Sequence, residues 1–282
     1  MNFSLSLKVL CFGLLAGILI GLLSCTPKIA EQSVMPPPEE VTQTEVTEPL
    51  TPCTTFDSLG GADRETAMTA YVLYRDNLKA NRYEEALPIW KQAYYMAPGS
   101  NGKVKSQFDD GVTLYRHLFD QTNQADLKKR YVDTIMMIYD KRSYCFGEEG
   151  YVAGRKAFDA YYYFNQYVDT TSVFNWFIRN LDEKGVDADY FVVNPFSKML
   201  YDKVVNGSVN REKGLQYAKL IIKIVEKGTK DCKGKECETW RIIADYAPAQ
   251  LELLEGVEDF MIAITILINI YLWSKCIRTV AS

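Results

Sequence analysis

Histidine occurs once in these 282 residues, at His117, so no metal site can be built from several imidazoles. His117 has no Gly-x-Ser-x-Gly run and no reactive-cysteine context to work with, which leaves no catalytic constellation to name. Surplus positive charge is also lacking. The formal net charge of -4 argues against sequence-independent nucleic-acid binding, which needs clustered Lys and Arg to neutralise phosphates. The acidic pairs Asp109-Asp110, Glu148-Glu149 and Asp187-Ala188-Asp189 lack the ligand order and glycine of a calcium loop and read as solvated faces or helix-start charges. Strand alternation is scarce as well. Phe191-Val192-Val193 is the one short run with strand character, and Asn194-Pro195 after it reads as a helix start. No cofactor is expected.

What is present is an ordinary globular mixture, 48% hydrophobic and 24% charged, enriched in tyrosine with 19 copies. The ends differ from the middle. Lys8 precedes an apolar run from Val9 to Leu23 that closes on Ser24 and Cys25, the pattern of a secretory signal over residues 1–25. Residues 26–52 hold six prolines, several Thr and Glu and no aromatic residue. Such a stretch cannot bury enough apolar surface to offset its ordering entropy and is expected to be a disordered tether with a reach of about 30 Å.

Residues 53–256 carry helical periodicity. Helices are expected over 67–80, 83–98, 107–119, 127–139, 151–167, 171–183, 195–205 and 211–227, with Gly228 as a natural stop. Within Tyr83 to Pro98, the small residues Ala86 and Ala93 admit a neighbouring helix, Trp90 fills the space between them, and Pro98 ends the helix. This spacing resembles the second helix of a tetratricopeptide repeat (TPR), a unit that needs stacked neighbours to bury its face. The first helix departs from that family, with Tyr74 where Gly or Ala is usual and Asn77 where Tyr is usual. The fold class is therefore all-α, a TPR-like antiparallel helix-pair solenoid.

Two further resemblances bear on location and role. Leu22-Leu23-Ser24-Cys25 resembles the bacterial lipoprotein box, which implies lipidation of Cys25; a plain membrane anchor and an unmodified signal peptide are the alternatives. Segments Tyr71 to Arg75, Tyr83 to Pro98, Tyr139 to Arg142 and Phe146 to Lys156 resemble a group of TPR-containing lipoproteins of the Bacteroidetes lineage. That resemblance implies an envelope lipoprotein without a known enzymatic activity. Thr26 to Ala30 carries no acidic run of the kind that resembles a surface-export signal, so a lipid anchor on the periplasm-facing side of the outer membrane is expected, and the TPR-like spacing, the tether and the lack of a catalytic constellation lead to the expectation of a non-enzymatic scaffold that binds protein partners. A second expectation, a glycan-binding lipoprotein similar to the starch-utilisation class, meets the objection that those proteins are much longer.

The candidate ligand contacts are Tyr161, Tyr162 and Tyr163, with Phe158, Phe164 and Tyr167 beside them. Three consecutive helical residues cannot share one face, so part of this set must be core. Cys232 and Cys237 flank a short loop and are expected as a disulfide in an oxidising compartment, with free thiols or a metal site as the alternatives. The segment 257–282 is anomalous: Phe260 to Trp273 is apolar apart from Thr265 and Asn269, and Lys275 and Arg278 follow. It reads as a buried terminal helix, a membrane-embedded one, or a truncated end.

Overall fold

The structure, a computed structural model, describes residues 53–254. The chain divides into two units, Met1–Glu45 and Val46–Ser282, and everything below belongs to the second. The expected signal segment with Cys25, the tether and the apolar run from 260 to 273 lie outside the described residues.

Among the described residues the protein is all-helical, with no strand. After a 3-10 turn at Phe56–Ser58 come α1 (Gly61–Lys79), α2 (Tyr83–Met96), α3 (Ser106–Gln121), α4 (Ala125–Phe146), α5 (Glu149–Tyr162), α6 (Thr170–Lys184), α7 (Tyr190–Val205) and α8 (Arg211–Asp231). A ninth, α9, is described over residues 236–254. Connectors of a few residues join α1 to α2, α3 to α4 and α5 to α6, and each of these consecutive pairs packs together extensively. Short connectors of this kind make the partners antiparallel.

The closest pair is α5 with α6, and the sequence explains why. Gly150, Ala153, Gly154, Ala157 and Ala160 form a stripe of small residues along α5, all buried. A side chain at Gly154 would collide with the Asn180 amide of α6. Asn180 is itself fully buried and its Nδ2 donates to the Gly150 carbonyl at 2.9 Å, so the close approach also gives a buried donor its acceptor.

The core falls into two large clusters. One is built mainly by α1 to α4 around Tyr74, Trp90, Tyr94, Phe108 and Ile135, with Val152 of α5 and Phe164 joining it; the other lies among α5 to α9 around Phe177, Val192, Phe196, Ile221 and Ile243. Met136 and Val168 touch both. The chain enters the first cluster through a clamp. Gly99 N donates to the Thr54 carbonyl at 2.9 Å, Phe56 N donates to the Ser100 carbonyl at 2.7 Å, and a disulfide joins Cys53 to Cys145 at the end of α4.

Helix α1 starts six residues before the expected 67 and α4 runs seven residues past the expected 139; three further differences have a readable cause. Helix α7 starts at Tyr190, not Pro195, because Val192, Val193, Phe196, Met199 and Leu200 keep one buried helical face. That burial outweighs the single hydrogen bond Pro195 cannot make. Helix α5 ends at Tyr162 and not Tyr167, since Phe164 turns inward to full burial. Gly228 does not stop α8, which runs on to Asp231. Its missing side chain serves packing instead, for the Trp240 indole lies where a Cβ would sit.

Candidate functional site

Along α5, the residues Tyr151, Arg155, Phe158 and Tyr162 recur at intervals of four, three and four and therefore share a face. From that face a row of ring contacts crosses to the next two odd-numbered helices. Phe158 lies 4.7 Å from Tyr162 and 6.4 Å from Tyr163, and meets Phe191 of α7 at 5.8 Å. Phe191 also meets Tyr151 at 6.0 Å and Tyr190 at 5.7 Å, and Tyr190 reaches Trp240 of α9 at 6.4 Å. Tyr162 and Tyr163 are each 48% exposed and Tyr190 43%, so the row presents aromatic surface to solvent at the end of α5 and on α7, while Trp240 of α9 is its buried end. Burial raises the pKa of the Tyr162 phenol, with the neighbouring phenols of Tyr161, Tyr246 and Tyr163 adding to the effect. It is a neutral hydroxyl donor at physiological pH.

Guanidinium groups are laid on this row. Arg155 sits 5.4 Å from the Phe158 ring and 5.0 Å from Phe191, Arg116 of α3 stacks 4.2 Å from Tyr163, and Arg142 of α4 lies 5.0 Å from Tyr151. Such placement over ring faces is favourable and strengthens as water is excluded. The carboxylates beneath are fewer than the cations they serve. Asp159, wholly buried, accepts from the Tyr139 hydroxyl at 2.6 Å and pairs with Arg116 at 2.6 Å, while Arg155 stands off at 3.8 Å. Glu148 is shared by Lys105 at 2.5 Å and Arg142 at 3.0 Å, and Arg142 also pairs with Asp109. Four cations, Lys105, Arg116, Arg142 and Arg155, thus divide three carboxylates, Asp109, Glu148 and Asp159. The cation whose carboxylate lies beyond hydrogen-bond reach is Arg155, and it is the one set between two half-buried rings, Phe158 and Phe191.

At its α9 end the row borders a cleft of about 320 Å³. Tyr190 and Trp240 line it, with Asp187 and Asp231 both bonded to Lys227 at 3.1 Å. Chemically the whole arrangement is one of contact: flat rings, hydroxyl donors and a guanidinium. Among the described residues there is no group of three or more His, Cys, Asp or Glu placed to hold a metal. His117 stacks on Tyr83 at 4.2 Å.

The residues singled out from sequence are distributed as follows. Ala86, Trp90 and Ala93 are fully buried in the first core cluster, and Pro98 follows the end of α2. Tyr162 and Tyr163 lie on the aromatic row, Tyr161 is half-buried beside them, and Phe164 belongs to the core. Cys232 and Cys237 are joined in a disulfide next to the cleft. Sequence reasoning missed Arg155, Phe191, Tyr190, Trp240 and the Arg116–Asp159 pair. The α5 stripe from Tyr151 to Tyr162 was a readable signal for Arg155. The contributions of α3, α7 and α9 had none, since they depend on which helices become neighbours.

Set against protein-family models, curated proteins and solved structures, the chain finds no match in any of the three. Among the described residues no helix is long and apolar enough to cross a membrane.

Proposed function

We propose that this chain is a non-enzymatic scaffold of the TPR-like solenoid type, anchored by lipid at Cys25 to the periplasmic side of a bacterial outer membrane, whose aromatic row holds an extended segment of a protein partner. The observation that carries the reading is Arg155, set between Phe158 and Phe191 with its carboxylate at 3.8 Å. Aromatic and arginine side chains are the types that dominate protein-binding energetics when a partner excludes water around them. An exposed row running from the end of α5 to α7 suits an extended chain better than a compact small molecule.

The test is photocrosslinking in envelopes from cells expressing the full chain, with a crosslinker at Tyr190. A discrete partner band is expected, weakened at least tenfold by Arg155→Ala or Phe191→Ala at equal folded protein. A band unaffected by both substitutions, or none at all, overturns the assignment of this face. The exposed faces of Tyr162 and Tyr163 favour a second reading, glycan binding of the starch-utilisation kind, because sugar rings stack on such surfaces. Glycan-array binding abolished by Tyr162→Ala would replace the first reading with the second.

A further inference from the structure

The two sulfurs of the Cys232–Cys237 bridge stand at opposite kinds of helix end. Cys232 closes α8 at its carbonyl end, while Cys237 lies in the first turn of α9, its N–H donating to the Gly234 carbonyl at 3.3 Å. A helix carries partial negative charge at its last carbonyls and partial positive charge at its first amides, so a thiolate is disfavoured on Cys232 and stabilised on Cys237. The Thr229 carbonyl oxygen, 3.4 Å from Cys232 Sγ, acts in the same sense. The loop charges do not decide the matter, since Lys233 and Lys235 are offset by Glu236 and Glu238, and Asp231 is held by Lys227. Access is unequal as well. Cys232 lines the cleft of about 320 Å³ beside Tyr190 and Trp240. The other bridge has the reverse bias: Cys145 lies in the last turn of α4, where a thiolate is disfavoured, and the Cys53 end is clamped by the backbone bonds of Gly99 and Ser100.

We propose that the Cys232–Cys237 bridge is a thiol–disulfide exchange site, opened by a small thiol that enters the cleft and attacks Cys232 Sγ. The incoming thiolate bonds to Cys232 Sγ, the bond to Cys237 breaks, and its electron pair leaves on Cys237 as a thiolate at the start of α9. One disulfide is consumed and one is made, a mixed disulfide at Cys232, so the step needs no oxidant and no net reductant. The reverse attack by Cys237 expels the small thiol and restores the bridge. Exchange is fastest where the attacked sulfur is open and the leaving thiol has a low pKa. Both conditions select this bridge over Cys53–Cys145, and the second also fixes the direction. Opening it releases the turn beside the contact of Trp240 with Gly228, which is the buried end of the aromatic row.

The test exposes the folded, disulfide-bonded full chain to glutathione, quenches with N-ethylmaleimide and maps the peptides after trypsin, whose cuts at Lys233 and Lys235 separate the two sulfurs. Glutathione is expected on Cys232 and maleimide on Cys237, about tenfold over the reverse labelling, while Cys53–Cys145 stays closed. Two single variants test the cause without the bridge. The Cys237 thiol of Cys232→Ser is expected to titrate about one pH unit below the Cys232 thiol of Cys237→Ser, read from the pH dependence of iodoacetamide alkylation. Glutathione mainly on Cys237 or divided evenly, a bridge that opens only after Cys53–Cys145 or only on unfolding, or a Cys237 thiol that titrates at or above Cys232 overturns the proposal.

Discussion

The indole of Trp90 on α2 occupies the space a side chain at Gly111 of α3 would need, and its Nε1 donates to the Gln107 carbonyl of the same helix at 2.8 Å. Trp240 and Gly228 repeat the arrangement between α9 and α8. At both junctions a large ring is the contact, and the absence of a Cβ sets how near the helices come. Gly111→Ala therefore brings two opposed effects. Alanine favours the helix by about 1 kcal/mol, and overpacking against a buried ring costs about 1–3 kcal/mol. A net loss of up to about 2 kcal/mol is expected in urea unfolding, and in a Gly111→Ala/Trp90→Phe double variant the costs should be less than additive, since the smaller ring makes room. Strict additivity would mean the two residues do not share a contact.

Asp159 supports the Arg116 side of the aromatic row from below. It is fully buried and held by Tyr139 and Arg116, so Asp159→Ala strips the charge partner from a guanidinium and leaves the Tyr139 hydroxyl without its acceptor. Breaking a buried pair in this way costs about 3–5 kcal/mol. Tyr139→Phe removes only the hydroxyl bond, about 1.5–3 kcal/mol for a bond to a charged group. The expected order in thermal melts is Asp159→Ala well below Tyr139→Phe, with Arg116→Ala nearer the former. Equal shifts for all three would indicate that the carboxylate is not the hub.

What the sequence made legible was local. The small-Trp-small spacing of Ala86, Trp90 and Ala93 placed these residues in a helix interior, where all three are fully buried, and the periodicity of 211–227 located α8. What stayed hidden depended on distant neighbours. Gly228 read as a helix stop because its role is to admit Trp240, which lies on another helix. Asp159 carries no signal of its own, since an acid in a helix is normally solvated; only the approach of α3 and α4 makes it a buried hub. The aromatic row was half legible for the same reason. Its α5 members keep a helical interval, while Phe191 and Trp240 join it through packing that no local pattern encodes.

Glu148 gives the fold an acid-sensitive seam. Burial works against its carboxylate, but the hydrogen bonds and charges of Lys105 and Arg142 outweigh that, and its pKa is held below the usual carboxylate range. A depressed pKa contributes stability that is present above the unfolded value of about 4.3 and is lost as pH falls through the folded one. Asp110 opposes it: burial raises its pKa despite the Tyr74 hydrogen bond and Arg75, so its contribution improves as pH falls. The difference curve between the unmutated chain and Glu148→Gln isolates the seam. The destabilisation caused by Glu148→Gln should be largest near neutral pH and shrink below about pH 4. A difference that grows on acidification would contradict the Lys105–Glu148–Arg142 geometry.

The two disulfides differ in what they close, and this decides which one the fold depends on. Cys53 and Cys145 are 92 residues apart, Cys232 and Cys237 only 5. On the loop-entropy relation the first restricts the unfolded chain by about 4–5 kcal/mol and the second by about 2 kcal/mol. The longer bridge also fixes the entry segment that Gly99 and Ser100 hold through backbone bonds, so its loss should free residues 53–56 in the native state as well. The Cys53→Ser/Cys145→Ser variant is expected to lose about 3–5 kcal/mol in urea unfolding, near the upper end for a single bridge. It should also show fast amide exchange at Phe56. Cys232→Ser/Cys237→Ser should cost about half as much and change exchange only around the α8–α9 turn. If the short bridge proves the costlier to remove, the α8–α9 junction, with Trp240 seated on Gly228, is the more strongly coupled part of the fold.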